Sequence, residues 1–265
     1  MTRSVQIFRS VGLLATLTAV NLWLPEWIPF DKLPISQFWQ VLLLRIVLSL
    51  ISIASMKTWF PSSLYRLNVR SGRKQNFAGL GIVAFLIAPS FTPSQFSGFS
   101  FSQVIEGITF ALFIGVDEEL FSRGFVFAAL EEYGIFLAAV MSSIQFGLLH
   151  FTNLFWGGQS ISYTLGQVLS ASSFGFLCVG IMIYTKTIWF GVALHGLYDT
   201  PMQFQSSVNF TKLVTGSSDW FPLIIQALIY ILTGWILIAL NDQERILQFM
   251  DKFGLIKDRE EPVIL

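Results

Sequence analysis

The sequence predicts an all-α fold: a polytopic transmembrane bundle of about eight helices, one of them short or re-entrant. Three observations point there. Hydrophobic residues fill 54% of the 265 positions and charged residues only 12%, where soluble domains run near a quarter charged. The apolar residues gather in runs of roughly the 17–25 residues that a bilayer crossing needs. Trp23, Trp27, Trp39, Trp59, Trp156, Trp189 and Trp220 fall near the ends of those runs, as an interfacial aromatic belt requires.

In chain order, the first expected span covers Val5–Leu24 and the second Phe38–Met56. Arg3 and Arg9 give the first span the look of a signal peptide. No small-residue cleavage site of the A-x-A kind follows, so it reads as a membrane anchor. A third, short span lies at Phe77–Phe91. The fourth, from Gln103 to about Leu130, holds an acidic cluster. The fifth is Ile135–Phe155 and the sixth Ile161–Tyr184. The seventh, Ile188–Asp199, is too short to cross alone, and the eighth is Trp220–Leu240. The segment 57–76 carries Lys57, Arg66, Arg70, Arg73 and Lys74 and no acid. By the positive-inside rule it is cytoplasmic, which puts the N-terminus inside too. No repeat or long linker interrupts the chain, so residues 1–240 read as one transmembrane domain and 241–265 as a polar C-terminal tail. The net charge is zero, and with no basic arm nothing invites nucleic acid. The expected partners are the lipid bilayer and a peptide within it.

The stretch "GVDEELFSRG" sets Asp117, Glu118, Glu119 and Arg123 inside this apolar background. A charge at mid-bilayer costs about 2.5–3.5 kcal/mol on insertion scales, so these groups must face protein or water. Glu119 and Arg123 are four apart and share a helix face. Glu118 points about 100° away, free to face a cavity. The plain structural alternative is that the cluster merely ends a span at the membrane surface. The two histidines argue against it. Phe146 and His150 are four apart, with Asn153 three further on, and His195 and Asp199 are four apart, so Asp199 can orient the imidazole. If the fourth and fifth spans turn near residues 131–134, Glu118 and His150 both lie roughly 20–24 Å from that turn. They then meet at one depth, and the seventh segment can bring His195 and Asp199 to the same level.

Glu118-Glu119 with Arg123, Phe146 with His150, and His195 with Asp199, in that order on successive apolar helices, resemble the CPBP (CAAX protease and bacteriocin-processing, or Abi) family. These are intramembrane endopeptidases, and they include the type II CAAX prenyl endopeptidases. The matching core runs from about residue 107 to 200. The resemblance implies a protease whose catalytic residues are Glu118, Glu119, His150, His195 and Asp199, with Arg123, Phe146 and Asn153 in support. Glu118 and His150 would activate a water, His195 and Asp199 would face the oxyanion, and Glu119 with Arg123 would hold the helix. The substrate would be a membrane-anchored peptide or lipidated protein. Asp199 stands where Asn is the family's more frequent residue; an aspartate donates no hydrogen bond unless protonated, which favours an orienting role.

Other chemistries are open to the same residues. No cofactor is required on this reading, but Glu118, His150 and His195 are also a familiar zinc set, although no H-E-x-x-H is present. An aspartyl pair of Asp117 and Asp199 lacks the G-x-G-D partner motif. A serine route lacks G-x-S-G, and Cys178 has no histidine near it in sequence. Outside enzymology, a proton path or transporter would be expected to show two related halves. A scaffold or immunity protein of the same family would need none of the three groups Glu118, His150 and His195.

Overall fold

The computed structural model describes residues 32–68, 72–88, 91, 96–155, 157–204 and 219–241, together with residues 12, 15, 18 and 19. Most of the first expected span, the polar tail, and Arg70, Trp23, Trp27 and Trp156 lie outside the described residues. Every regular element among the described residues is helical. In order they are α1 (Gln37–Trp59), a 3-10 segment (Pro61–Leu67), α2 (Arg73–Ile87), α3 (Phe101–Glu119), a π-helical turn (Leu120–Val126) and α4 (Phe127–Leu130). After these come α5 (Ile135–Leu149), α6 (Thr152–Phe155), α7 (Ile161–Thr185), α8 (Trp189–Asp199), a 3-10 turn (Thr200–Phe204) and α9 (Trp220–Asn241).

Local chemistry sets these boundaries. Pro61 follows the C-cap Phe60 of α1 and opens the 3-10 segment, where its missing N–H is tolerated. Ser100 caps α3 through a reciprocal box with Gln103: the Gln103 N–H donates to Ser100 Oγ at 3.4 Å, and the Ser100 N–H donates to Gln103 Oε1 at 2.8 Å. Ser160 caps α7, accepting from the Tyr163 N–H. Gly134, at φ 118°, makes the turn between α4 and α5, a conformation only glycine adopts freely.

Four stretches are long and apolar enough to cross a membrane: α1, residues 135–155, α7 and α9. Their outward faces carry large apolar side chains such as Leu50, Leu148, Leu228 and Leu232, which suits lipid as the lateral solvent. α7 is the central post: 61% of its span is buried, against 22% for α9. α9 nonetheless crosses α7 very closely, because a Cβ on Gly180 would sit 2.6 Å from the Gly234 carbonyl oxygen. Around this crossing Phe146, Phe174, Leu177, Ile181, Leu194 and Tyr230 join α5, α7, α8 and α9 in one apolar core.

The helices run alternately up and down, so the bundle has two distinct ends. At one end Arg66 Nη2 meets Glu131 Oε1 at 2.5 Å. The Ile188 N–H donates to the Arg66 carbonyl at 3.0 Å, Trp189 Nε1 donates to the Leu67 carbonyl at 2.9 Å, and Lys186 bonds Asn241. This is the basic end, and Arg66 is buried in it, its guanidinium over the Tyr65 and Phe127 rings. At the far end the first turns of α1 and α3 come together beside Gln203 and Phe204.

Three expected spans differ in detail. The third begins at Arg73 and ends at Ile87, because Gly72 starts the helix before its basic first turn. The fourth is not one α-helix but α3, a π turn and α4. The fifth breaks after Leu149, where Thr152 Oγ1 donates to the Leu149 carbonyl and α6 restarts the chain.

The α7–α9 crossing generates a stability prediction. Gly180→Val should lower the thermal midpoint of the detergent-solubilised protein, by an overpacking cost of about 1–3 kcal/mol. Gly81→Ala, where a Cβ meets nothing within 4 Å, should leave the midpoint unchanged or slightly higher.

Candidate active site

The site is built where α3 ends. Three consecutive carboxylates on a helix diverge by about 100° each, and each finds a different neighbour. Asp117, 1% exposed, accepts from Arg45 Nη1 of α1 at 2.9 Å. Glu118 Oε1 accepts from the same nitrogen at 3.3 Å, which leaves Oε2 for the cavity. Glu119 is fully buried and pairs with the equally buried Arg123 at 3.2 Å. The π turn lies between them: the Phe127 N–H reaches back five residues to the Ser122 carbonyl, and all seven residues of the turn are buried. Such widened turns are uncommon and cluster at functional sites. The Arg123 guanidinium also lies 4.4 Å over the Phe146 ring, a cation–π contact worth more when water is excluded.

α8 reaches this cluster because two glycines let it. A Cβ on Gly115 would fall 2.8 Å from both the Val192 carbonyl oxygen and the Gly196 nitrogen, and one on Gly196 would fall 2.7 Å from Leu112 Cα. The resulting backbone contact between α3 and α8 delivers His195. Its Nδ1 donates to Glu119 Oε1 at 2.9 Å, since a carboxylate only accepts. Its Nε2 faces Glu118 Oε2 and Asp199 Oδ2, each at 3.6 Å, too long for direct hydrogen bonds. The Phe146 and Phe174 rings flank the imidazole edge-on. His150 caps the end of α5. Its Nδ1 donates to the Phe146 carbonyl at 3.1 Å, which fixes the tautomer and leaves Nε2 as the free acceptor.

Glu118, His150, His195, Asp199, Phe146 and Arg45 share one cavity of about 640 Å³. Its opposite wall is neutral but polar: Tyr163, Gln167 and Ser170 of α7, and Gln226 of α9. Gln226 donates to both Tyr198 and Tyr230 hydroxyls.

The expected residues thus converge, with three changes of part. Glu119 does not line the cavity; it works from behind through His195 and Arg123. The hydrogen bond that orients His195 comes from Glu119, not Asp199, because Nδ1 points to α3 and Asp199 sits on the Nε2 side. Asn153 also stays out of the cavity and instead donates to Gln167 at 2.9 Å, holding that wall residue. Sequence reasoning did not single out Arg45 as a site residue. Its signal was there, a lone charge within "VLLLRIVLSL", but its acidic partners lie more than seventy residues on.

The zinc alternative rests on Glu118, His150 and His195. Among the described residues no three His, Cys, Asp or Glu side chains are arranged to hold a metal ion. Each imidazole bonds a protein acceptor through Nδ1 and keeps Nε2 toward the cavity, while Arg45 holds Glu118 Oε1. Asp117 and Asp199 do not form a pair, since Asp117 is turned to Arg45 and away from the cavity. Cys178 is buried in the core.

The fold and site define a class: a polytopic membrane protein enclosing a carboxylate–imidazole cavity. Residues 100–201 match the family described as type II CAAX prenyl endopeptidase Rce1-like. The segment contains Glu118, His150, His195 and Asp199 and covers less than half of the chain. No curated protein and no solved structure matches the chain. With four stretches long and apolar enough to cross a membrane among the described residues, the chain is an integral membrane protein.

Breaking a buried ion pair by removing one partner typically costs about 3–5 kcal/mol. Glu119→Ala should therefore lower the unfolding midpoint sharply. Glu119→Leu combined with Arg123→Met should recover much of that loss; a double variant no more stable than the single would show that the pair is not the reason for the loss.

Proposed function

We propose that the protein is an intramembrane endopeptidase that cleaves a membrane-anchored or lipidated peptide by a glutamate- and histidine-activated water, without a resident metal. The observation that carries this reading is the common cavity, in which Glu118 Oε2 and the free Nε2 of His150 both face space large enough for a peptide segment. The family match over residues 100–201 supports the reaction class.

The steps follow from the atoms. Glu118 takes a proton from a water whose other contact is His150 Nε2, and the hydroxide oxygen bonds to the scissile carbonyl carbon. Negative charge collects on the carbonyl oxygen, where the protonated Nε2 of His195, held through Nδ1 by Glu119, donates to it. The proton held by Glu118 passes to the amide nitrogen, the C–N bond breaks, and acid and amine products leave. Asp199, close to Nε2, balances the imidazolium. The neutral wall of Tyr163, Gln167, Ser170 and Gln226 offers donors and acceptors to a peptide main chain without adding charge.

Two predictions follow, read with a quenched fluorescent farnesylated CAAX-type peptide and purified, detergent-solubilised protein. Glu118→Gln and His150→Ala should each lower kcat by about 10²–10⁴, the usual contribution of a positioned base, with an unchanged unfolding midpoint. Full activity in both variants would leave the family's scaffold role as the better reading. Exhaustive chelation should leave turnover unchanged; loss on chelation that added zinc restores would replace the water-only mechanism.

A further inference from the structure

α9 is almost wholly apolar, yet from Phe221 to Leu232 it carries two polar side chains, Gln226 and Tyr230. Polar groups are expensive inside a membrane, and both turn inward: Tyr230 is buried and Gln226 lines the cavity. Gln226 lies beyond the family-matched residues 100–201, so that match assigns it no part. Its Nε2 donates to Tyr198 Oη at 3.0 Å and to Tyr230 Oη at 2.9 Å, which spends both hydrogens of the amide nitrogen. Gln226 Oε1 meets no donor among the described residues. Each hydroxyl accepts here and keeps its own hydrogen. Tyr230 belongs to the apolar core and does not line the cavity, whereas Tyr198 does. The wall therefore presents an acceptor, Gln226 Oε1, and a donor, the Tyr198 O–H, tied to one another through Nε2.

This pair stands beside the imidazole. Tyr198 follows His195 by three residues, on one side of α8. The Phe174 ring packs against both, with ring centroids 5.3 Å from the imidazole and 5.3 Å from the phenol. An extended peptide turns the N–H and C=O of one residue to the same side, the complement of such a donor and acceptor. A helix has already spent those groups on itself. We propose that Tyr198 and Gln226 form a main-chain docking pair: Gln226 Oε1 accepts a substrate N–H, Tyr198 donates to the same residue's carbonyl, and the cavity takes its peptide in extended form. The peptide nature of the ligand rests on the proteolytic reading above. The contact is a side-chain counterpart of adding a strand to a sheet edge. It supplies, for one residue, hydrogen bonds that an unwound chain would otherwise lack inside a membrane.

The probe is the farnesylated CAAX-type peptide carrying a fluorophore, bound to full-length Glu118→Gln protein in detergent, where turnover is suppressed. A series of peptides replaces one backbone amide at a time by an ester, which removes the N–H without added bulk. One ester should weaken binding about five- to tenfold, the scale of a neutral hydrogen bond. Gln226→Leu should weaken the all-amide peptide by a similar factor, and in that variant the same ester should cost nothing further. A merely structural tie would weaken every peptide alike, so an ester penalty that persists in Gln226→Leu, or no penalty at any position, overturns the proposal. Tyr198→Phe and Tyr230→Phe, each keeping its ring, form a second arm. Weaker binding in Tyr198→Phe with Tyr230→Phe unchanged is expected; equal losses would mean that the hydroxyls only hold Gln226, and overturn it too. The two readings fail separately. A flat ester series alongside cleavage of the all-amide peptide by the wild type removes the docking pair alone. A coupled ester penalty in a protein whose wild type cleaves nothing removes the proteolytic reading and leaves a peptide-binding site.

Discussion

The structure turns on how three adjacent carboxylates are kept inside an apolar bundle. An unpaired ion there is costly, and the helix sends Asp117, Glu118 and Glu119 in three directions, so no single partner can serve them. Arg45 of α1 takes Asp117 and one oxygen of Glu118. Arg123 and His195 take Glu119. α1 and α8 must therefore dock on α3 for the charges to be tolerated at all, and their docking is what closes the cavity. The pairing that makes the site possible also specifies much of the tertiary arrangement.

That arrangement leaves one oxygen of one carboxylate free. Glu118 Oε1 is held by Arg45, and the second cation, Arg123, is sealed behind Glu119 and under Phe146. Oε2 remains, facing an imidazole whose other nitrogen is already tied down. A buried pair seldom adds net stability over apolar replacements. Its value here is geometric, in setting which atoms face the cavity. The Gly115–Gly196 contact serves the same end by trading side-chain packing for the close approach that puts His195 in range.

Much of this was legible in the sequence because it depends on local pattern. The ends of α1, α7 and α9 fall within a few residues of the apolar runs, and Glu118 and His150 line one cavity. What was not legible depends on partners far along the chain. The acidic cluster announces a need for cations, but nothing within it names Arg45. Asp199 is the carboxylate next to His195 in helical register, so a local argument assigns it the ring; only the α3–α8 crossing reveals Glu119 as the nearer acceptor. The π turn has no residue signature in "LFSRGFV". Arg66 reads as one more basic loop residue until Glu131 and the Phe127 ring are placed against it.

The unequal ends of the bundle follow from the same economy of polar groups. At the basic end, chain turns that would leave unpaired carbonyls and N–H groups near lipid are stitched across helices by Arg66, Trp189 and Ile188. At the opposite end the helices splay around Glu118, His150, His195 and Asp199, which cannot all be satisfied by one another at 3.6 Å separations. A cavity lined by groups that lack full partners is stable only if water or a polar ligand completes them. Hydration of this pocket is thus a structural requirement of the fold, set by polar groups that the helices bring together and cannot pair.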